Sequence, residues 1–295
     1  MSKSAQPHWR VIFQALFVTL LWSSSWVFIK FGLEDIPALT FAGLRYFLAF
    51  LCLLPFALRR SSLQKLASLT KAQWRQLILL GLVLYTVTQG AQFLGLFYLP
   101  AVTVSLILSF SPAVVALFSS PLLNEQLTSR QWWGIIIFLS GTLLYFIPVE
   151  FPLEAWIGIG VVVVGVLANS GSAILGRAVN RDLHLGALTI TTVSMGIGAV
   201  VLLGVGIGFQ GIPELSFSHW GIILWLAVVN TAFAFTLWNI TLRSLTATES
   251  SIINNTMLIQ IALLAWLFLG ETIDVKEGLG LALALFGTLM VQLRR

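Results

Sequence analysis

A few side chains able to hold a small molecule stand inside otherwise apolar stretches of this chain. They are Tyr85, Gln89 and Gln92 within residues 77–97, Trp238 within 220–242 and Asn255 within 247–269. Amides offer donors and acceptors together, and phenol and indole rings add a flat apolar face with one polar tip. Such a set can orient and pack an amphipathic molecule, but it cannot cleave one. Nucleophilic catalysis needs a base beside the nucleophile, and His8, His184 and His219 all lie at the ends of the apolar stretches or between them. No Asp, Glu or His falls in the middle of a stretch, so carboxylate relays and multi-carboxylate cation sites lack their residues. Cys52 is the single cysteine, which excludes a disulfide or a Cys metal cluster. No G-x-x-x-x-G-K-[ST] loop is present for ATP. The expectation is a binding protein with no catalytic residue, metal or cofactor.

Trp26 and Asn169 form a second tier of candidate contacts, beside Trp22, Ser23 and Ser172. Ser105, Ser109 and Ser251 lie on stripes at helical spacing, where a hydroxyl either bonds its own backbone or meets a ligand. Gln89, Gln92 and Asn255 are costlier to bury, and cavity contact and interhelical bonding both remain open for them. Arg45 lies about 10 Å into its helix at 1.5 Å per residue, where it could reach back to Glu34 or Asp35 or, less readily, meet a substrate. Lys30 ends the first apolar stretch and is expected to extend its ammonium to the surface.

The elements that must position these groups follow from composition. Of 295 residues 58% are hydrophobic and 9% charged, with mean hydropathy +0.96. Soluble domains carry roughly 25% charged residues, so a soluble globule, a disordered chain, a nucleic-acid binder and a disulfide scaffold are excluded. The partners expected are the lipid bilayer and a small-molecule substrate, with no nucleic acid. Apolar runs predict ten transmembrane helices near 11–30, 38–58, 77–97, 101–123, 131–148, 155–176, 187–208, 220–242, 247–269 and 275–293. The last is the weakest, because Asp274, Lys276 and Glu277 crowd its start. With the N-terminus inside, Lys3, Arg10, Arg59, Arg60, Lys65, Lys71, Arg75, Arg130, Arg177, Arg181, Arg243, Arg294 and Arg295 fall at cytoplasmic ends, thirteen of sixteen basic residues. That bias fits both termini in the cytoplasm. The pI near 9.7 therefore reports topology and not an anionic partner.

The chain also repeats itself. Sliding it by 146 residues sets Ser24 on Ser170, Leu99 on Leu245, Ala101 on Ala247, Ser105 on Ser251, Glu125 on Glu271 and Gly134 on Gly280. Gly141-Thr142-Leu143 falls on Gly287-Thr288-Leu289 at the same offset. This divides the chain into 1–148 and 149–295. Five helices per copy, an odd number, force the second copy to insert upside down. The expected fold class is thus an all-α polytopic membrane protein, with two inverted five-helix repeats around a central cavity. Inverted repeats mark secondary transporters whose substrate sits near the midplane.

Leu21-Trp22-Ser23-Ser24-Ser25-Trp26-Val27-Phe28-Ile29-Lys30, then Pro37 and Leu44-Arg45-Tyr46-Phe47, resemble the opening of EamA-type members of the drug/metabolite transporter superfamily. Pro112, Glu125-x-Leu127, Gly134 and Gly141 resemble the end of the first repeat of that family. Leu269-Gly270-Glu271, Gly280 and Gly287 are similar to its second. The resemblance covers the whole chain. It implies a basket of ten helices in a bacterial inner membrane, exporting amino acids or related metabolites by alternating access. A xenobiotic exporter is the alternative, and a passive channel a further one. The chain departs from the pattern at Leu258, where the family has a proline, at Asn124 before Glu125, and at Ser23 where glycine is common. Without its proline, a kink at Leu258 loses its cause.

Overall fold

The computed structural model describes residues 8–57, 59–115, 117, 128–147, 152–183, 185–241, 245 and 247–292, the side chains of 247–252 and of a few other helix residues excepted. The stretch with Asn124, Glu125 and Leu127 lies outside the described residues, as do Lys3, Glu150, His184, Arg243, Arg294 and Arg295.

The described residues form eleven helices and no strand. They are α1 (His8–Gly32), α2 (Ala38–Ala57), α3 (Arg60–Ala67), α4 (Lys71–Tyr98), α5 (Ala101–Val115), α6 (Ser129–Phe146), α7 (Leu153–Asp182) and α8 (Ala187–Gln210). α9 runs unbroken through Phe217–Ala227, Val228–Phe233 and Ala234–Thr241, followed by α10 (Ala247–Leu269) and α11 (Val275–Gln292). Six of them, in α1, α2, α4, α7, α8 and α9, are long and apolar enough to cross a bilayer, and Ala101–Val115 and Ile253–Leu269 are shorter apolar helices. α3 was not expected: its sequence RSSLQKLA is too polar to register as an apolar run, and Leu66 anchors it against Leu77, Leu80 and Val179.

Local signals explain where the helices begin. Thr70 and Gln73 form a capping box at the start of α4, Thr128 and Gln131 do so for α6, and Ser216 and His219 for α9. Each satisfies backbone N–H groups that a helix start leaves without partners. Asp274 and Glu277 do the same for α11: Glu277 N donates to Asp274 Oδ1 at 2.6 Å and Asp274 N donates to Glu277 Oε2 at 2.8 Å. The charges that weakened the prediction of this helix are its start signal.

Successive helices run back and forth, so one end of the bundle collects the connections at 33–37, 99–100, 211–216 and 270–274. There His219 Nε2 meets Asp35 Oδ2 at 3.1 Å, and Thr40 Oγ1 donates to Gly211 O at 3.1 Å. α6 and α11 cross antiparallel through glycines. A Cβ on Gly134 would lie 2.8 Å from Gly287 O, and one on Gly141 would lie 2.6 Å from Gly280 O. Without a hydrophobic drive between helices in lipid, such close backbone approach is what holds them together. The main core sits inward of α1, α2, α4, α8 and α9, around Ile29, Phe41, Phe93, Leu96, Met195 and Ile223.

Candidate functional site

Two stretches of π-helix interrupt the regular hydrogen bonding, Leu82–Thr88 in α4 and Val228–Phe233 in α9. A π turn carries one extra residue and displaces carbonyls from their usual donors, and such turns recur at functional sites. Threonines take up the slack here. Thr88 Oγ1 donates to Val83 O at 2.9 Å and Thr231 Oγ1 donates to Leu226 O at 2.8 Å, each five residues back.

The first π stretch presents Tyr85, which is buried and packs its ring 5.7 Å from that of Tyr46. Tyr46 OH donates to Gln89 Oε1 at 2.5 Å. Gln92, one turn on, is half-buried and makes no side-chain hydrogen bond among the described residues.

The second π stretch presents Asn230 and Thr231, both fully buried. Asn230 Nδ2 donates to Leu21 O, to Ser24 Oγ at 3.1 Å and to Ser25 Oγ at 3.0 Å, while its Oδ1 is buried without a partner among the described residues. Arg45 Nε donates to Thr231 Oγ1 at 3.0 Å, and Nη2 reaches Ser25 Oγ at 3.5 Å. Its guanidinium lies over the rings of Tyr46 and Phe93, at 5.2 and 5.9 Å. This corrects the expectation that Arg45 turns back to Glu34 or Asp35. It points into the bundle, only 4% exposed, where hydroxyls and ring faces stand in for a carboxylate. Arg45 and Tyr46, neighbours on α2, therefore connect the two π stretches.

The remaining sequence candidates lie elsewhere. The Trp238 and Trp22 rings are 5.2 Å apart, Phe235 is as close to Trp22, and Trp238 packs against the cluster of Val11, Ala15, Leu245 and Ile253. Trp26 is buried in the main core. Asn169 is half-buried on α7, its backbone carbonyl accepting from Ser172 Oγ at 2.7 Å. Asn255 is half-buried on α10. Ser105 and Ser109 donate to Val102 O and Leu106 O, at 2.8 and 2.7 Å, so their hydroxyls serve their own helix.

Sequence reasoning missed Gln260. Its Oε1 accepts from Ser23 Oγ at 2.9 Å and its Nε2 donates to Thr19 Oγ1 at 3.2 Å, tying α10 to α1. An amide inside the apolar run 247–269 was the available signal, as was Asn230 inside 220–242.

A cleft of about 480 Å³ opens at the bundle end that holds 33–37 and 270–274. Lys30, Glu34, Tyr98, Leu99, Pro100 and Glu271 are among the residues that line it. Gly270, with φ of +67°, turns the chain there, and Glu271 Oε1 and Oε2 accept from Ala101 N at 2.6 Å and Val102 N at 3.1 Å. The carboxylate thus caps α5.

Apolar helices of spanning length, faced outward by large apolar side chains and holding amides, hydroxyls and one guanidinium inside, define an integral, multi-pass membrane protein. The chain belongs to the EamA-like transporter family, whose model matches residues 9–147 and again 156–293. It is 25% identical over 283 residues to the uncharacterized transporter YoaV of Bacillus subtilis (strain 168), covering 95% of this chain and 96% of that one. The uncharacterized inner membrane transporter YedA of Escherichia coli (strain K12) is 25% identical over 289 residues, 96% of this chain and 90% of its own. A solved crystal structure aligns with a TM-score of 0.64 over 96% of this chain and 97% of its own, at 17% identity, a likeness of fold. The chain is a membrane transporter and not an enzyme.

Proposed function

We propose that the protein exports a small zwitterionic or neutral metabolite by alternating access, across a bacterial inner membrane, with ten spans in two inverted halves and both termini cytoplasmic. The observation that carries this reading is the recurrence of one local architecture at an offset of 146 residues. Leu82 and Val228 begin the two π stretches, Thr70 and Ser216 begin two capping boxes, and Thr128 and Asp274 begin two more. The glycine contacts obey the same exchange, Gly134 on Gly287 and Gly141 on Gly280. Two halves related this way can rock about the layer between them. The substrate contacts we assign to it are Tyr85, Gln89, Gln92, Trp238 and Asn255, with Trp26 and Asn169 as a second tier.

Labelled amino acids loaded into proteoliposomes test the reading. Saturable efflux and counterflow are expected, and unsaturable flux would make it a channel. Gln92→Ala should weaken substrate affinity about 5- to 150-fold at unchanged melting temperature, whereas Gln89→Ala, which also leaves Tyr46 OH without its acceptor, should lower both affinity and melting temperature. In a Cys52→Ser background, a cysteine at position 62 should label only from the cytoplasm and one at 152 only from outside. A second reading, export of bulky apolar compounds, draws on the Trp22–Phe235–Trp238 ring cluster. Flux of aromatic drugs without flux of amino acids would favour it.

A further inference from the structure

We propose that His219 is a proton-operated switch between two contacts, a helix cap on α9 and a clamp on the connection between α1 and α2. Its imidazole is held at both nitrogens. Ser216 N donates to Nδ1 at 3.2 Å, and Nε2 stands 3.1 Å from Asp35 Oδ2. A backbone N–H can only donate, so Nδ1 carries no hydrogen. The ring is therefore the neutral tautomer with its proton on Nε2, which donates to Asp35. Protonation adds a hydrogen at Nδ1, directly against the Ser216 N–H. The cap bond is then lost, while the contact with Asp35 becomes an ion pair. One proton trades one contact for the other.

The position that matches at the repeat offset shows what the cap itself requires. Thr70 N donates to Gln73 Oε1 at 2.9 Å, and Gln73 N donates to Thr70 Oγ1 at 3.3 Å, as His219 N does to Ser216 Oγ at 3.3 Å. Glutamine completes that box and does not titrate. What histidine adds to the same cap is a charge that changes between about pH 5 and 8. α1 and α2 pack against the first segment of α9. Of their charged groups towards this end, Lys30 lines the cleft with Glu34 and Glu271, and Arg45 points into the bundle towards Thr231 and Ser25. Glu34 and Glu214, on the two connections, are exposed. Among the described residues, Asp35 is the charged partner that meets the ring. Two more bonds hold α2 to the end of α8 in either state, Leu39 N to Gln210 Oε1 at 2.8 Å and Thr40 Oγ1 to Gly211 O at 3.1 Å. The proton thus acts on the start of α9 against a fixed frame. That this end faces outside, so that the switch reads external pH, rests on the transporter reading; the exchange of contacts does not.

Hydrogen exchange at the Ser216 amide, divided by that at the Thr70 amide, tests the cap in the full chain in detergent. The ratio cancels the pH dependence that the two amides share. In wild type it should rise at least about threefold from about pH 8 to about pH 5. His219→Gln, which keeps the cap as Gln73 does, should hold the ratio constant. A constant wild-type ratio would overturn the proposal, and so would a rise that persists in His219→Gln. The clamp is read by thermal unfolding. Asp35→Asn should lower the melting temperature by about 1–3 °C more at the acid pH than at the alkaline one. In a His219→Gln background its cost should be the same at both. An equal cost at both pH values with His219 present would also overturn the proposal. Neither measurement needs flux, so a failure to transport would remove the transporter reading and leave the switch standing.

Discussion

α5 and α10 fall on each other at the 146-residue offset, yet one is broken and the other is not. α5 runs regularly over Ala101–Leu108, turns at Ser109 and Phe110, and resumes to Val115. α10 is continuous over Ala247–Leu269. The difference tracks one residue. Pro112 has no N–H for Leu108 O and its ring crowds that carbonyl, whereas Leu258, at the corresponding position, keeps its donor and buries its side chain against Leu106, Phe138 and Ala284. Segments that match at this offset therefore need not share a backbone path. Here α5 is the broken helix and α10 the unbroken one.

Importing the break should have the largest effect. Leu258→Pro removes a helical hydrogen bond and the side chain that joins α10 to α5, α6 and α11. It should destabilise the protein by about 3 kcal/mol or more. Thermal unfolding in detergent measures it. An unchanged melting temperature would mean that α10 accommodates a proline without cost, and the comparison would fail.

A more specific contrast concerns Ser109 and Asn255, which fall on each other at the repeat offset. Ser109 Oγ donates to Leu106 O at 2.7 Å, so the hydroxyl is consumed at the break. Asn255 stands on the unbroken helix, half-buried. Asn255→Ala should weaken substrate binding about 5- to 150-fold, and Ser109→Ala should leave affinity alone. Equal affinities in the two variants would remove Asn255 from the site.

Much of this was legible in the sequence, for identifiable reasons. Helix positions follow from apolar runs, because backbone groups in lipid must pair within their own segment. The glycines that align at the 146-residue offset stand out in the sequence because close crossings admit few substitutes, as at Gly141 against Gly280 O. The loss of a kink at Leu258 followed from proline's missing donor. Hydrogen-bond partners across helices were not legible. Nothing in the spacing of Arg45 says that Thr231 waits 186 residues later. The π stretches were equally hidden, since Leu82–Thr88 and Val228–Phe233 share no composition that sets them apart from α-helix. Lys30 read as a side chain reaching for water; it is half-buried, in a cleft that Glu34 and Glu271 also line.

The smallest expected effect lies inside the break itself. Pro112 leaves Leu108 O without the usual donor four residues on, and Ser111 Oγ donates to that oxygen at 2.8 Å. The hydroxyl thus substitutes for the missing N–H, while Ser111 O in turn accepts from Ser170 Oγ at 3.2 Å and fixes the break against α7. Ser111→Ala should cost about 0.5–1.5 kcal/mol, the net worth of one hydrogen bond. In a Pro112→Ala background the main-chain N–H returns to Leu108 O, so the same substitution should cost less. The difference between the two costs is a coupling energy that a double-mutant cycle reads directly. If Ser111→Ala costs the same in both backgrounds, the hydroxyl is not replacing the proline's lost donor.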